Sequence, residues 1–300
     1  MERHEIETFL TLAEELHFRR TAERLGLAQG RVSQTIKKLE RRIGVPLFER
    51  TSRRVSLTPT GRQLRDDLAP AYQAMREAVS RAVAVGKGVT GTLRVGFSSQ
   101  WVHDLVLEAA DKFESRYPDC AVRAQEVQIR DPHGPLRAGV LDLQVTEFPV
   151  DEPDLVAGPA LFTEPRALIV PAKHPLAARD SLSVEDQSTL PMVIVAGDIP
   201  GYWMHHIFPT RTPGGRPITH GDSVVYWQEV LSLVAKGRGA TPASLRAARY
   251  HSRPGIAFVP FRDAEPIEYG LIWRCDGYTG RVRAFVETLC ELAGVEPPRP

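Results

Sequence analysis

Cysteine is scarce: Cys120, Cys275 and Cys290 are the only three in 300 residues. An odd, widely spaced set excludes a disulfide framework and a zinc cluster, and it fits the reduced thiols of a cytoplasmic protein. Cys275 falls on a predicted strand and Cys290 on an apolar helical face, so both read as packing thiols. No apolar run reaches ~18 residues, which excludes a membrane-spanning helix. The charged opening Met1-Glu2-Arg3-His4-Glu5 is not a secretory signal. A cytoplasmic chain with no membrane partner is the expectation. Catalytic patterns are missing as well: there is no nucleophile–base constellation, phosphate loop or metal motif. Gly86-Lys87-Gly88 follows a helix and opens a strand, the wrong context for a dinucleotide. His205 and His206 are neighbours, and adjacent helical residues diverge by about 100°, so they do not chelate together. The chain is therefore expected to be no enzyme and to hold no cofactor and no metal. Aromatics are few, at 7%. Trp101, Tyr202, Trp203, Tyr226 and Trp227 read either as core or as the walls of an aromatic cleft.

What is present is unevenly distributed. Residues 1–62 hold 13 Lys and Arg against 8 Asp and Glu, a net +5, whereas the whole chain is only +1. The remainder is therefore −4, and the positive charge gathers in one amino-terminal block, as a phosphate-binding surface requires. Within that block Phe18, Ala22 and Leu25, then Val32, Ile36, Leu39 and Ile43, fall three or four apart. Each series gives one apolar helical face. Gly26 between them suits a tight helix-to-helix corner. The pair reads as a helix-turn-helix supported by a first helix with Ile6, Phe9, Leu10, Ala13 and Leu16 on its apolar face. Gln29, Arg31, Ser33, Gln34, Lys37 and Lys38 face away from the stripe, and Gln or Arg at a helix start reaches base edges. Arg19 and Arg20 are phosphate candidates. Thr51-Ser52-Arg53-Arg54 followed by Val55-Ser56-Leu57 reads as a basic turn entering a strand, a wing able to touch phosphate or the minor groove.

Ala13-Glu14-Glu15-Leu16-His17-Phe18, Ala22-Glu23-Arg24-Leu25, Val32-Ser33-Gln34, Lys38-Leu39-Glu40 and Gly44-Val45-Pro46-Leu47-Phe48-Glu49-Arg50 closely resemble the winged helix-turn-helix of LysR-type transcriptional regulators. Arg53-Arg54-Val55 and Leu57-Thr58-Pro59-Thr60-Gly61 continue the match. The resemblance implies that Gln29, Gly30, Ser33 and Gln34 address bases and that Arg53 contacts groove or backbone, with Arg54 a phosphate candidate. One departure stands out: Gly30-Arg31 replaces the usual Pro or Ser followed by Ala. Gly30 lowers helix propensity and Arg31 adds a cationic donor, so the preferred DNA sequence is expected to differ from that of close relatives.

Past the wing, Thr58 or Thr60 caps a long helix running to about Val85, with Leu64, Leu68, Ala71, Met75, Val79 and Ala82 at helical spacing. Pro70 lies inside it and is expected to kink it. In LysR relatives this is the linker helix that pairs two subunits, and the resemblance implies a homodimer or homotetramer here. Strands and helices then alternate from Thr92, the mark of an α/β domain. Strands are expected near 93–97, 121–126, 143–145, 167–171, 192–195, 216–219, 255–259 and 269–273, with a closing amphipathic helix at 282–292. Gly91-Thr92-Leu93-Arg94-Val95-Gly96, Gly139-Val140-Leu141-Asp142-Leu143, His174-Pro175-Leu176-Ala177 and Val234-Ala235-Lys236-Gly237 resemble the family's effector-binding domain, two α/β lobes like those of type 2 periplasmic binding proteins.

The expected architecture is thus an N-terminal all-α winged helix-turn-helix domain (1–58), a linker helix and hinge (59–90), and an α/β effector domain (91–300). Its lobe I would span 91–163 and 267–295, and its lobe II 164–266. A strand near Gly237–Ser244 is expected to be truncated. Ser98, Ser99 and Gln100 stand where a strand gives way to a helix. Either a serine caps the helix, or its hydroxyl and the free N–H groups bind an anion. The family resemblance favours a carboxylate-bearing small-molecule effector at that place. Thr146, Gly197, Asp198 and Thr241 are further cleft candidates. The expected function is transcription regulation by binding double-stranded DNA under control of a small effector; the alternative is a solute-binding protein that uses residues 91–295 and leaves DNA alone.

Overall fold

The computed structural model describes residues 1–50, 55–86 and 88–298. They fall into two compact units, Met1–Val83 and Ala84–Pro300.

The first unit holds α1 (Arg3–Glu15), α2 (Phe18–Leu25), α3 (Gln29–Ile43), the short antiparallel strands β1 (Phe48–Arg50) and β2 (Val55–Leu57), and α4 (Pro59–Gly86). Phe9, Leu12, Ala13, Ile36, Leu39, Leu47, Phe48 and Leu57 form its core, with Leu64 and Leu68 of α4 packed against it. The corner falls at Gly26, whose φ of 63° is left-handed, and Leu27 N–H closes back on the Ala22 carbonyl at 2.9 Å. Of the two capping threonines it is Thr58 that serves α4: its hydroxyl accepts from Gly61 N–H at 2.9 Å and donates to the Pro46 carbonyl at 2.9 Å. The helix continues through Pro70. Beyond Tyr72 its apolar stripe turns outward, leaving Met75, Val79 and Val83 at 44%, 61% and 50% exposure.

One carboxylate braces the head. Glu5 is fully buried; it accepts from Glu2 N–H at 2.8 Å, pairs with Arg42 at 2.6 Å and faces Lys38 at 3.6 Å. The Glu2 amide, then the Arg42 guanidinium, hold its pKa down at about 2. A depressed carboxylate stabilises the fold above its unfolded pKa and loses that contribution as pH falls toward the folded value. Glu5→Gln is therefore expected to cost about 1–3 kcal/mol at neutral pH. In thermal melts the gap to the wild type should close below about pH 4. A gap that stays constant down to pH 2 would contradict this assignment.

The second unit runs β3 (Gly91–Phe97), α5 (Gln100–Arg116), β4 (Cys120–Glu126), α6 (Gly134–Arg137), β5 (Leu143–Glu147), β6 (Leu155–Glu164), β7 (Arg166–Pro171), β8 (Met192–Val195), α7 (Gly201–Ile207), β9 (His220–Val224), α8 (Trp227–Ala235), β10 (Thr241–Ser244), α9 (Ala248–His251), β11 (Ile256–Pro260), β12 (Ile267–Arg274) and α10 (Gly280–Ala293). A five-stranded sheet has the order β4-β3-β5-β12-β6. Its β3 is parallel to both β4 and β5, while β12 is antiparallel to β5 and β6. A second sheet has the order β10-β7-β11, with β8 and β9 pairing beside it. Separate cores serve the two: Val95, Phe113, Tyr269 and Phe285 anchor one, and Ile169, Val193, Trp203 and Val230 the other.

Three expectations need correction. The strand placed at Arg216–Thr219 forms four residues later, as β9. Pro217 makes only an isolated bridge to Arg211, because it has no N–H to give a ladder. The region after Gly237 keeps a strand: β10 pairs antiparallel with β7 from Thr241↔Ile169 to Ser244↔Arg166. Cys275 lies just past β12 and is exposed, its Sγ 3.7 Å from the Pro153 carbonyl, whereas Cys120 and Cys290 are buried. Burial pushes the Cys290 thiol up to about 11, which makes it a poor nucleophile.

Candidate functional site

On the head, α3 turns one face to the core and the other outward. Val32, Ile36 and Leu39 are buried, and Gln29, Gly30, Arg31, Gln34, Lys37 and Lys38 are exposed, with Ser33 half-buried. Glu40 ties the helix to the wing, its Oε1 accepting from Leu47 N–H at 3.0 Å and Phe48 N–H at 3.2 Å. The N-cap Ala28 offers no side-chain cap and Arg31 N–H closes on the Ala28 carbonyl at 2.9 Å, so among the described residues the Gln29 and Gly30 N–H groups are the ones left to an anion. A Cβ at Gly30 would meet nothing within 4 Å; the absent side chain leaves open backbone at the helix start. Among the described residues no carboxylate pairs with Arg31 or Lys37. Arg19 pairs with Glu23 at 2.9 Å, Arg20 with Glu15 at 3.2 Å and Lys38 with Glu5 at 3.6 Å. The Arg19 pair is exposed and weak enough for phosphate to replace the carboxylate, whereas Lys38 keeps an exposed side chain beside the buried Glu5. Arg53 and Arg54 lie outside the described residues.

In the second unit a cavity of about 320 Å³ opens at the carboxyl ends of the parallel strands β3, β4 and β5, where α/β sheets place ligands. Ser98, Ser99, Gln100 and Trp101 form one wall. Ser99 occupies the N-cap position of α5 but makes no side-chain cap hydrogen bond. Both serine Oγ atoms are buried and have no protein partner. Hydroxyls spared from capping, beside the positive end of a 17-residue helix, suit a ligand carboxylate. Trp203 and Ile207 of α7, Phe208 just after it, and Tyr226 and Trp227 at the start of α8 supply the apolar side; Tyr202 is half-buried against the neighbouring core, its hydroxyl 3.4 Å from His133 Nε2.

Four expected contacts miss the cavity. Thr146 is buried in the sheet opposite Gly270, and strand alternation sends the next residue, Glu147, to the cavity. Thr241 is fully buried opposite Ile169, and Pro242, Ala243 and Ser244 line the wall in its place. Gly197 and Asp198 grip another segment altogether. Asp198 N–H donates to the Arg130 carbonyl at 2.7 Å, and a Cβ on Gly197 would sit 2.0 Å from that oxygen. Sequence reasoning overlooked Glu147 and Arg166; for Arg166 an ionic residue opening an otherwise apolar strand was the available signal, while β5, with Gln144 and Thr146, offered none for Glu147.

Comparison with known proteins gives the family and the fold. A family model described as the bacterial regulatory helix-turn-helix protein of the lysR family matches residues 4–62, and the LysR substrate binding domain matches residues 86–293. The HTH-type transcriptional regulator AlsR of Bacillus subtilis is 27% identical over 291 residues, covering 95% of this chain and 94% of its own. A full-length OxyR point variant from Pseudomonas aeruginosa superposes with a TM-score of 0.53 at 25% identity, covering 98% of this chain and 99% of its own. A crystal structure of full-length CbnR complexed with its target DNA has the same fold, with a TM-score of 0.52 at 19% identity and coverage of 98% and 100%.

Proposed function

The chain belongs to the LysR family of DNA-binding transcription regulators, and from that premise we propose how its residues divide the work. The head, residues 1–58, reads an operator with Gln29, Gly30, Arg31, Ser33 and Gln34 toward the bases and Arg19, Arg20, Lys37, Lys38, Arg53 and Arg54 toward the backbone or groove. Residues 59–90 link head and sensor. The outward apolar stripe Met75, Val79 and Val83 on α4 takes a second copy of the chain, making a dimer and, by pairing of dimers, a tetramer. Residues 91–300 sense a small carboxylate-bearing effector, and its binding shifts the population between two assemblies. The observation that carries the sensor reading is the pair of buried serine hydroxyls left without a partner on the cavity wall. A cytoplasmic location suits this work. The alternative, a solute-binding protein indifferent to DNA, gains no support from relatives that are transcription regulators.

Footprinting the DNA upstream of the protein's own gene tests the operator reading. Two protected half-sites about 10 base pairs apart, or a multiple of that, are expected; no protection at low salt would refute it. For the sensor, Ser99→Ala should weaken effector response about 10- to 100-fold while unliganded operator binding stays intact. An unchanged response would remove Ser99 from the site.

A further inference from the structure

Arg166 opens β7 and lines the cavity. Its Nε donates to the Glu265 carbonyl at 3.0 Å and its Nη2 faces Nε2 of His206. Both partners are uncharged, since burial and the nearby guanidinium disfavour protonation of His206. Burial lowers the pKa of Arg166 too, yet a guanidinium stays charged. Among the described residues no carboxylate comes within ion-pairing distance of it. Arg94, Arg137 and Arg246 of the same unit do have a carboxylate in contact: Asp142 at 2.8 Å, Asp154 at 2.7 Å and Glu164 at 3.1 Å. The acid that shares the cavity wall is Glu147. It is engaged by the Tyr269 hydroxyl at 2.9 Å; burial raises its pKa, while the Tyr269 hydrogen bond and the Arg166 charge oppose that rise. A half-buried cation with no carboxylate in contact is left short of a partner, and a cavity is where a ligand can supply one.

We infer that Arg166 carries the charge selectivity of the sensor: the effector is an organic anion whose acid group seats on the Arg166 guanidinium, with its apolar body against Trp203 and Phe208. Ser98 and Ser99, on the wall built by β3 and α5, then take a second polar group of the same molecule. This rests on the cavity being the effector site. It adds that an uncharged analogue of the right shape is rejected, because it leaves the guanidinium uncompensated.

A matched pair of probes tests it on the full-length protein: phenylacetate, and its uncharged counterpart phenylacetamide, each at millimolar concentration. Binding is followed by titration calorimetry and by hydrogen exchange of the cavity-lining segments. Phenylacetate is expected to bind and to protect the segments around Arg166 and Ser99, with phenylacetamide weaker by about 10- to 100-fold. Arg166→Gln should erase the difference between the probes, Ser99→Ala should preserve it, and Arg166→Lys, which keeps charge without the planar fork, should retain part of it. Operator binding and melting temperature identify any variant that has failed to fold, and the lysine variant then decides. Equal binding of both probes by the wild type, or an anion preference that survives Arg166→Gln, overturns the role of Arg166 and leaves the cavity as a binding site. If neither probe protects the cavity segments, the cavity reading falls and takes this inference with it.

Discussion

Operator affinity is expected to collapse with added salt. Each head offers four described phosphate candidates, Arg19, Arg20, Lys37 and Lys38, and two heads would act together in the proposed dimer. About eight neutralised phosphates give a slope of log affinity against log salt near −7, a loss of about 10³–10⁵ between roughly 50 and 200 mM. Contributions should be unequal. Lys37 has no acidic partner among the described residues, so it would bind phosphate without first giving up an ion pair. Lys38 must leave Glu5, and Arg19 must leave Glu23. Lys37→Ala should thus flatten the slope by about 1 per head and weaken all sequences alike. Gln34→Ala should behave differently, costing about 1–3 kcal/mol at a single base position and leaving the slope unchanged. Competition gel shifts with operator variants at several salt concentrations separate the two. A flat salt dependence, or a uniform loss for Gln34→Ala, would mean that this face of α3 does not lie in the major groove.

The head was the more legible part of the sequence because its signals are local. Apolar spacing of three or four, a left-handed corner at Gly26 and a capping threonine at Thr58 each act within one turn of chain. The cavity depends on longer-range facts. Thr146 and Glu147 differ only in which face of β5 they occupy, and that parity follows from pairing with β12 more than a hundred residues away. Arg166 stands out only when the absence of a nearby carboxylate is known, which no spacing rule reports. Serines 98 and 99 posed a choice between cap and ligand, and the sequence carries no information on where a hydroxyl points. The structure does: both oxygens are buried without a partner. Gly197 and Asp198 read as cleft candidates in the sequence, and their partner at Arg130 comes from a segment nearly seventy residues upstream.

That contact supplies the second large effect. Gly197 has φ of 155°, a conformation side chains rarely adopt, and any Cβ there would lie 2.0 Å from the Arg130 carbonyl oxygen and 2.6 Å from its carbonyl carbon. Both obstacles are backbone, so no side-chain rotation relieves them. Asp198 N–H, held to that carbonyl at 2.7 Å, would have to withdraw as well. Ile129 and Gln128, just before Arg130, line the cavity, and Tyr202 of α7, a few residues after Asp198, brings its hydroxyl to the buried His133. The loop before α7 and the loop after β4 therefore clasp one another beside the cavity, with Ile129 of one and Ile199 of the other packed against the same core. Gly197→Ala is expected to destabilise this unit by about 2–4 kcal/mol, lowering its melting temperature by roughly 5–15 °C. Tyr202→Phe, which removes one longer hydrogen bond, should cost about 1 kcal/mol. If the clasp also sets the angle between the two sheets, Gly197→Ala will alter effector response at temperatures where the protein is still folded, and hydrogen exchange at Asp198 will rise before the β3 and β12 amides do. A Gly197→Ala protein that melts like the wild type, with Asp198 still protected, would show that the two loops do not hold each other.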